Sequence, residues 1–160
     1  VPATVQKIKA GFTKGAFQGR KSISEIIIES GLPEIEEWTF RGCEGLRKIK
    51  IPGTVKKIGH LAFSGCSYLN YVILPEGLQE IYYSSFENCY NLESITLPSS
   101  LKLMYKMDIR DIYFKGKDTE ITEKLGCEWR RTTLHVLPGS NAEKYAIEHG
   151  IRYVIMESAE

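Results

Sequence analysis

Phenylalanine recurs at one constant interval along the first half of this chain. The four positions are Phe17, Phe40, Phe63 and Phe86. A fixed period of about 20 to 50 residues is typical of proteins that stack one supersecondary unit on the next. The period therefore predicts a repeat protein, in which each unit buries its apolar face against its neighbours rather than against a separate core.

Other apolar positions keep the same period and predict strands. The segments Leu46–Ile51, Leu69–Leu74 and Leu92–Leu97 alternate apolar and polar residues near their ends, as short strands do, and a proline follows each of them. The fold class that follows is a right-handed solenoid of short parallel strands. We expect second short strands at Val55–Ile58 and Leu78–Ile81 on the opposite side. The stretch from each Phe to the following Cys is too short for a helix and predicts a turn or a 3₁₀ piece.

The chain divides into three parts by its fit to the period. Residues 1–16 predict an irregular N-terminal turn, in which Val5 and Ile8 resemble the second strand of a unit, displaced by a small insertion. Residues 17–104 predict four regular 23-residue repeats. Residues 105–160 predict a degenerate repeat followed by a C-terminal cap, since terminal repeats are usually atypical.

The period decays after Met104. Ile109 stands where the next Phe is due, and Ile112 stands where the next Cys is due. Strands are nevertheless indicated at Ile112–Phe114 and Thr133–Leu137. The polar segment between them, residues 116–131, is hard to assign and is compatible with a short helix or loop around Thr119–Leu125.

The last element is a short helix at residues 140–149. Ser140 and Glu143 form a capping box, and Gly150 supplies a left-handed stop. A strand at Ile151–Ile155 follows. We expect this helix and strand to close the open end of the solenoid and to blunt its exposed edge.

Composition excludes several classes of function. The 160 residues carry a net charge of +1, which gives no reason to expect nucleic-acid binding. No run of apolar residues is long enough to cross a membrane, so we expect no direct membrane insertion. Val1 is not a start methionine, and Val1-Pro2 resembles the aliphatic-Pro step of a repeat, which indicates a processed chain or a piece of a longer protein.

Three of the four cysteines, Cys43, Cys66 and Cys89, occupy one column of the repeat. Stacked strands lie about 4.8 Å apart, a distance that allows disulfides between neighbours. Parallel-stacked side chains point the same way, however, so we predict buried free thiols that pack as small apolar groups. The sequence leaves their redox state open. Cys127 stands outside the column and is interpreted as structural.

Chemistry-bearing residues are scattered rather than grouped. Neither the histidines nor the cysteines have a second ligand at metal-site spacing, and we interpret the histidines as structural or solvated. The paired carboxylates of Glu34, Glu36 and Glu37 could do acid–base work, but a solvated loop is the favoured interpretation. No phosphate-binding or catalytic motif is present. We therefore expect no enzymatic activity, no cofactor and no metal. The three histidines are His60, His135 and His149.

The repeat unit, with Ala62-Phe63-Ser64-Gly65-Cys66 and Ser85-Phe86-Glu87-Asn88-Cys89 as its signature, resembles the BspA-type leucine-rich repeat of bacterial surface proteins. The segment from Leu137 to Ile151 is similar to the terminal unit frequent in that family. The resemblance implies a leucine-rich-repeat solenoid located at the cell surface or secreted. It also implies a binding or adhesion function with an unidentified protein or glycan partner of host or matrix origin. An architectural spacer within a larger surface protein is the alternative.

Outward positions of the predicted strands give the candidate partner-binding residues. In such a solenoid the strands line one sheet, whose outward residues are free to bind. Adjacent units bring Arg47, Lys48 and Lys50 beside Tyr71 and Ile73. Tyr and Arg are frequent interface anchors, so this group predicts a protein- or glycan-binding patch, with a mixed solvated sheet face as the alternative. Two further aromatic residues, Tyr82 and Tyr83, lie off this sheet. They are interpreted as either a second site or plain surface.

Overall fold

The computed structural model describes residues 4–8 (backbone only), 13–29, 31–105, 107, 109–122 and 131–157. These residues form a solenoid of short parallel strands with a helix, α1 (Asn141–Glu148), near the C-terminal end. The strands are β1 (Thr4–Ile8), β2 (Ile23–Ile28), β3 (Glu34–Ile35), β4 (Lys48–Lys50), β5 (Lys57–Ile58), β6 (Tyr71–Ile73), β7 (Glu80–Ile81), β8 (Ser94–Leu97), β9 (Leu103–Tyr105), β10 (Asp111–Phe114), β11 (Glu120–Thr122), β12 (Thr133–Val136) and β13 (Tyr153–Ile155).

Three parallel sheets run along the stack. The N-terminal sheet has the order β1-β2-β4-β6, the C-terminal sheet has the order β8-β10-β12-β13, and the back sheet has the order β3-β5-β7-β9-β11. We call the outward surface of the N-terminal and C-terminal sheets the front face. The predicted fold class, a solenoid of short parallel strands, is confirmed.

Strands are shorter than the sequence pattern predicts. β4 covers Lys48–Lys50, although the flanking Leu46 and Ile51 are fully buried. On the back, only Lys57–Ile58 of the predicted second strand pairs as a strand. The reason is the turn before it: the Val55 amide donates to the Pro52 carbonyl at 3.1 Å and so takes no part in a ladder.

The phenylalanines form a ladder of stacked rings through the core. Ring centroids are 5.5 Å apart between Phe17 and Phe40, and 5.2 Å apart for each of the next two pairs, which end at Phe86. The Phe63 amide donates to the Ser85 carbonyl at 2.8 Å, so the turns stack through their backbones as well. Each Phe lies in a turn, as predicted. The residues two before and two after it have positive φ: Gly15, Gly19, Trp38, Gly42, Leu61, Gly65, Ser84 and Asn88.

The cysteine column consists of buried free thiols, as predicted. Each thiol also donates to the carbonyl oxygen of the Phe one turn earlier: Cys43 to Phe17 at 3.1 Å, and Cys66 to Phe40 at 3.2 Å. Burial raises the pKa of the Cys43 thiol to about 11 and that of the Cys89 thiol to about 12. The thiols are therefore protonated at neutral pH. Cys127 lies outside the described residues.

The first turn differs from its prediction. β1 pairs with β2, and Gln6 and Ile8 lie opposite Ile26 and Ile28. β1 therefore belongs to the N-terminal sheet and not to the back sheet, and the assignment of Val5 and Ile8 to a second strand is wrong. The interval from Gln6 to Ile26 is shorter than the interval from Ile26 to its next partner Ile49, so this turn is shortened and not lengthened by an insertion. Spacing alone misled the assignment, because two apolar residues three apart fit either strand.

A second shortened interval between paired strands occurs after β9. Ile112 pairs with Ile95, and the chain between them is shorter than one repeat, so Ile112 belongs to a front strand and not to the cysteine column. Ile109 is buried two residues before β10, as Leu92 is two residues before β8, and so does not replace a Phe. This unit lacks the Phe–Cys turn, and Met107 and Phe114 contribute to the buried core instead.

The other predictions for the C-terminal part have mixed outcomes. The strands predicted before and after the polar segment are confirmed as β10 and β12. Within that segment Glu120–Thr122 forms β11, paired with β9, where a helix or loop had been expected. Residues 123–130 lie outside the described part of the chain.

The predicted helix is confirmed, with Ser140 as its N-cap. The Ser140 hydroxyl accepts from the Glu143 amide at 3.1 Å, and the Glu143 carboxylate accepts from the Gly139 amide, one residue earlier than in a standard capping box. Ala142 and Ala146 bury the inner side of the helix against the last turns. No helix in the described part of the chain is long and apolar enough to cross a membrane.

The exposed edge of the C-terminal sheet is not blunted, in contrast to the prediction for the last strand. β13 pairs with β12 at the C-terminal end of its sheet, and all three of its residues are exposed. Tyr153 and Ile155 lie opposite Leu134 and Val136, which are fully buried in the turn before. The core columns therefore continue into β13, where no further described strand covers them.

Candidate binding surface on the front face

The five candidate residues lie together on the front face. The register places Lys48 opposite Tyr71 and Lys50 opposite Ile73. All of them are exposed, Tyr71 to 59% and Ile73 to 39%. Arg47 directly precedes β4 and is exposed as well. The strands thus hold two cationic side chains beside an aromatic and an aliphatic one, at the spacing of adjacent strands, which is about 4.8 Å.

Two of the three cationic side chains in this group have partners that the sequence did not reveal. The Lys48 ammonium lies 3.2 Å from the Glu25 carboxylate on β2, and the Arg47 guanidinium lies 5.7 Å from the centre of the Tyr68 ring. Lys50 has Ile27 and Ile73 on its two sides, and no ion pair of Lys50 is found in the described part of the chain. The surface therefore presents one unneutralised lysine between two exposed aliphatic residues.

Sequence reasoning missed Ile27 and Tyr68 as members of this surface. Ile27 lies opposite Lys50 and is 39% exposed, and Tyr68 is 54% exposed. The signal for Ile27 was its place in the same outward column as Lys50. Tyr68 lies before the strand, where the alternation gives no guide to direction. We call the group of Ile27, Arg47, Lys48, Lys50, Tyr68, Tyr71 and Ile73 the basic-apolar patch.

The C-terminal sheet carries a different set of outward residues. His135 Nε2 donates to Asp111 Oδ1 at 2.8 Å, and its ring stacks on Tyr113 at 4.0 Å and 13°. The interpretation of His135 as structural or solvated missed this arrangement. The chain intervals from β8 to β10 and from β10 to β12 differ from the repeat period and from each other, so the period could not bring these three residues together.

The front face is interrupted between its two sheets. β6 and β8 lie side by side, but they belong to different hydrogen-bonded sheets. Val72 and Leu74 are half-buried there, whereas Ile49 and Ile95 in equivalent strands are fully buried. The front face thus consists of an N-terminal and a C-terminal part with separate chemistry.

Comparison with known protein families identifies the repeat. A family model described as the BspA-type leucine-rich repeat region matches residues 1–124, in six copies. The chain belongs to this family. Searching the curated proteins gave no match.

Two solved structures share the fold of this BspA-type chain. A leucine-rich repeat protein of T. pallidum is 24% identical with a TM-score of 0.62, and the alignment covers 82% of this chain and 64% of that one. A leucine-rich repeat protein from Eubacterium ventriosum is 21% identical with a TM-score of 0.67, over 84% and 40% of the two chains. The BspA-type chain thus spans less than two thirds of the length of either.

Tyr82 and Tyr83 lie off the front face, as predicted, in an aromatic group beside the back sheet. The Tyr83 ring lies 3.6 Å from the His60 ring, and Tyr105 lies 5.9 Å from Tyr82 and 5.8 Å from Tyr83. The Tyr82 hydroxyl donates a hydrogen bond to the Glu80 carboxylate, and this bond, followed by the Glu80 charge, raises the pKa of Tyr82. The rings cover one another across successive turns, which favours a packing role in this BspA-type chain.

The carboxylates of Glu36 and Glu37 contact a basic residue, Lys14. Lys14 Nζ lies 2.7 Å from Glu37, and the Lys14 amide donates to Glu36 at 2.9 Å. These groups are largely exposed, which agrees with the predicted solvated loop. Across the described residues, no group of three or more His, Cys, Asp or Glu side chains has the arrangement of a metal site.

Proposed function

We propose that this BspA-type repeat protein is a non-enzymatic binding module that holds a protein ligand on the basic-apolar patch. The observation that carries the proposal is the exposure of Ile27, Tyr71 and Ile73 around Lys50, on a sheet whose core is formed by other residues. Exposed aromatic and aliphatic side chains that cluster in this way are typical of interaction sites.

The patch favours a polypeptide segment with an acidic residue between apolar ones. A ligand carboxylate on Lys50 would be flanked by Ile27 and Ile73, which shield the charge pair from water and so strengthen it. Lys48 is already compensated by Glu25 and contributes less. Tyr71 offers a large ring with few rotatable bonds, which suits an interface anchor.

The proposed setting is the bacterial cell surface or the secreted fraction. Its support is the membership of the BspA-type family, together with the bacterial origin of the similar solved structures. Both cationic and apolar residues of the patch lie on the front face, which repeat proteins of this class use for partners.

An array of synthetic peptides tests the proposal. The probe is a set of 12-residue peptides in which Asp or Glu is flanked by Leu, Ile or Phe, together with scrambled and Lys-substituted versions. We expect Lys50→Glu and Tyr71→Ala each to weaken the binding of selected peptides by about tenfold or more, the loss typical of an interface anchor. Lys102→Glu is the matched control, because Lys102 is exposed beside the back sheet and the substitution makes the same charge change.

Two outcomes would overturn the proposal. One is equal binding of the selected peptides by the wild-type protein and the Lys50→Glu variant. The other is an array in which the wild-type protein prefers no acidic peptide over its scrambled version. Either result would favour the architectural spacer, for which the front face needs no ligand.

A further inference from the structure

We propose a second binding site on the front face, at the junction of the N-terminal and C-terminal sheets, which takes one ring of an uncharged saccharide. The site is a groove that runs along β8. Ser94 and Thr96 form its floor, Tyr71 and Ile73 on β6 form one wall, and Asp111 and Tyr113 on β10 form the other. We call it the junction groove.

The floor is lower than both walls. Ser94 and Thr96 are the outward residues of β8, and both are small and exposed. The register places Asp111 opposite Ser94 and Tyr113 opposite Thr96. On the other side, β6 lies against β8, and the repeat period predicts that Tyr71 and Ile73 are beside the same two residues. Large side chains therefore flank small ones across three successive strands.

The spacing of the walls suits one inserted ring. Neighbouring strands lie about 4.8 Å apart, so walls two strands apart stand roughly 10 Å apart. A ring midway between them would contact each wall at about the 4.5–7 Å separation that ring contacts adopt. The stacked rings of Phe63 and Phe86, 5.2 Å apart, hold the turns of β6 and β8 at this spacing although no strand ladder joins the two strands.

The wall at Tyr113 is fixed in position. His135 covers the Tyr113 ring from the β12 side at 4.0 Å, and the bond from His135 to Asp111 orients the imidazole. The other side of the Tyr113 ring is adjacent to the small Thr96. A wall already ordered in this way loses little conformational freedom when a ligand binds.

The charges at the junction groove favour an uncharged ligand. Asp111 is bonded to His135, and Glu93 lies 3.3 Å from Arg110. Glu93 thus has a cationic partner and Asp111 has a hydrogen-bond donor, in contrast to Lys50 in the basic-apolar patch. The other polar groups of the groove can exchange hydrogen bonds with sugar hydroxyls. They are the Asp111 carboxylate and the hydroxyls of Ser94, Thr96, Tyr71 and Tyr113. Ile73 and the rings of Tyr71 and Tyr113 suit the C–H faces of a pyranose.

Saturation-transfer NMR with neutral trisaccharides tests this site. The probes are cellotriose, maltotriose and triacetylchitotriose, with trigalacturonic acid as the charged comparison. We expect at least one neutral probe to bind, and Thr96→Trp, which fills the groove, to weaken it about tenfold or more. Asn91→Trp is the matched control, because it adds the same indole at an exposed uncharged position outside the front face.

A second variant separates this site from the basic-apolar patch. We expect Tyr113→Ala to remove trisaccharide binding and leave the binding of acidic peptides unchanged, and Lys50→Glu to do the reverse. The junction groove would be refuted if no neutral trisaccharide binds at a concentration of about 10 mM. Ligands weaker than ordinary weak specific ones would still be detected at that concentration. It would also be refuted if trigalacturonic acid binds in preference, or if binding survives Thr96→Trp and Tyr113→Ala in folded protein.

Discussion

The turns that carry Phe40, Phe63 and Phe86 and the turns after β9 bury their cores by different means. In the first region identical side chains stack, and every paired position recurs at the same interval along the chain. In the second region the interval shortens both on the front, from Ile95 to Ile112, and on the back, from Met104 to Ile121. The interval shortens by the same amount in both sheets, so the Phe–Cys turn is removed without disturbing the strand pairing on either side.

The difference shows that strand pairing does not depend on the Phe ladder. The ladder ends at Phe86, whereas parallel pairing continues through β10, β12 and β13. The core beyond the ladder is filled by residues of several types, together with two alanines of α1. These residues are Met107, Ile109, Phe114, Ala142 and Ala146.

The largest expected effect tests whether the ladder dominates the stability of the regular region. Phe63→Ala should lower the free energy of unfolding by about 3–5 kcal/mol, because Phe63 is fully buried between two stacked rings. Ile109→Ala in the irregular region should cost roughly 2–4 kcal/mol. Urea denaturation followed by circular dichroism measures both. A loss below about 1 kcal/mol for Phe63→Ala would contradict the packing described here.

The second prediction concerns the thiols, which occur as a column in the regular region only. A pKa raised from 9.0 to about 11 lowers the thiolate fraction of Cys43 at pH 8 roughly 100-fold. In a Cys127→Ser background, reaction with a disulfide reagent should be at least that much slower in native than in unfolded protein. The thiolate fraction should rise as the pH passes from about 9 towards 11. Fast reaction of the native protein at pH 8 would contradict the burial of this column.

Close backbone contacts provide the third test. A Cβ at Gly59 would lie 2.7 Å from the Glu37 amide nitrogen, a backbone atom of the neighbouring turn. Gly59→Ala should therefore destabilise the protein by about 1–3 kcal/mol, the usual cost of overpacking. Gly53→Ala is the control, since its Cβ would meet Glu76 at an ordinary 3.8 Å. Equal midpoints of thermal unfolding for the two variants would show that the turns are not packed as tightly as described.

The smallest expected effect lies in the irregular region. Ser140→Ala removes the acceptor of the Glu143 amide at the start of α1 and should cost about 1 kcal/mol. Asn141→Ala, one residue later and exposed, serves as the control. Because α1 covers the last turns, hydrogen exchange should show increased opening of β12 in Ser140→Ala, with little change in β4. An unchanged β12 would mean that the helix does not stabilise the C-terminal sheet.

Prediction from sequence succeeded where the period is intact. The outward direction of Lys48, Lys50, Tyr71 and Ile73 followed from the alternation of core residues, since in a strand successive side chains point to opposite faces. The burial of the phenylalanines and cysteines followed from the same columns. One signal went unused: Gly or Asn two residues after each Phe, at a position that requires positive φ.

Prediction failed where the number of residues between paired strands changes. β1 was placed in the wrong sheet, and Ile109 and Ile112 were given places in a Phe–Cys turn that this unit lacks. In each case the apolar spacing was compatible with two registers. The pair of Asp111 and His135 was missed for the same reason, because their separation along the chain acquires meaning only after the shortened steps are known.

The sequence by itself determined the solenoid, the buried columns and the outward residues of the regular turns, including Lys48, Lys50, Tyr71 and Ile73. Repetition makes each unit the environment of the next, so local pattern and tertiary contact carry the same information there. Only the tertiary structure decided the register of β1, the removal of one Phe–Cys turn, and the meeting of Tyr113, His135 and Asp111 beside Ser94 and Thr96. Where turn lengths vary, the partner of a residue depends on how much chain lies between strands, and no local pattern encodes that pairing.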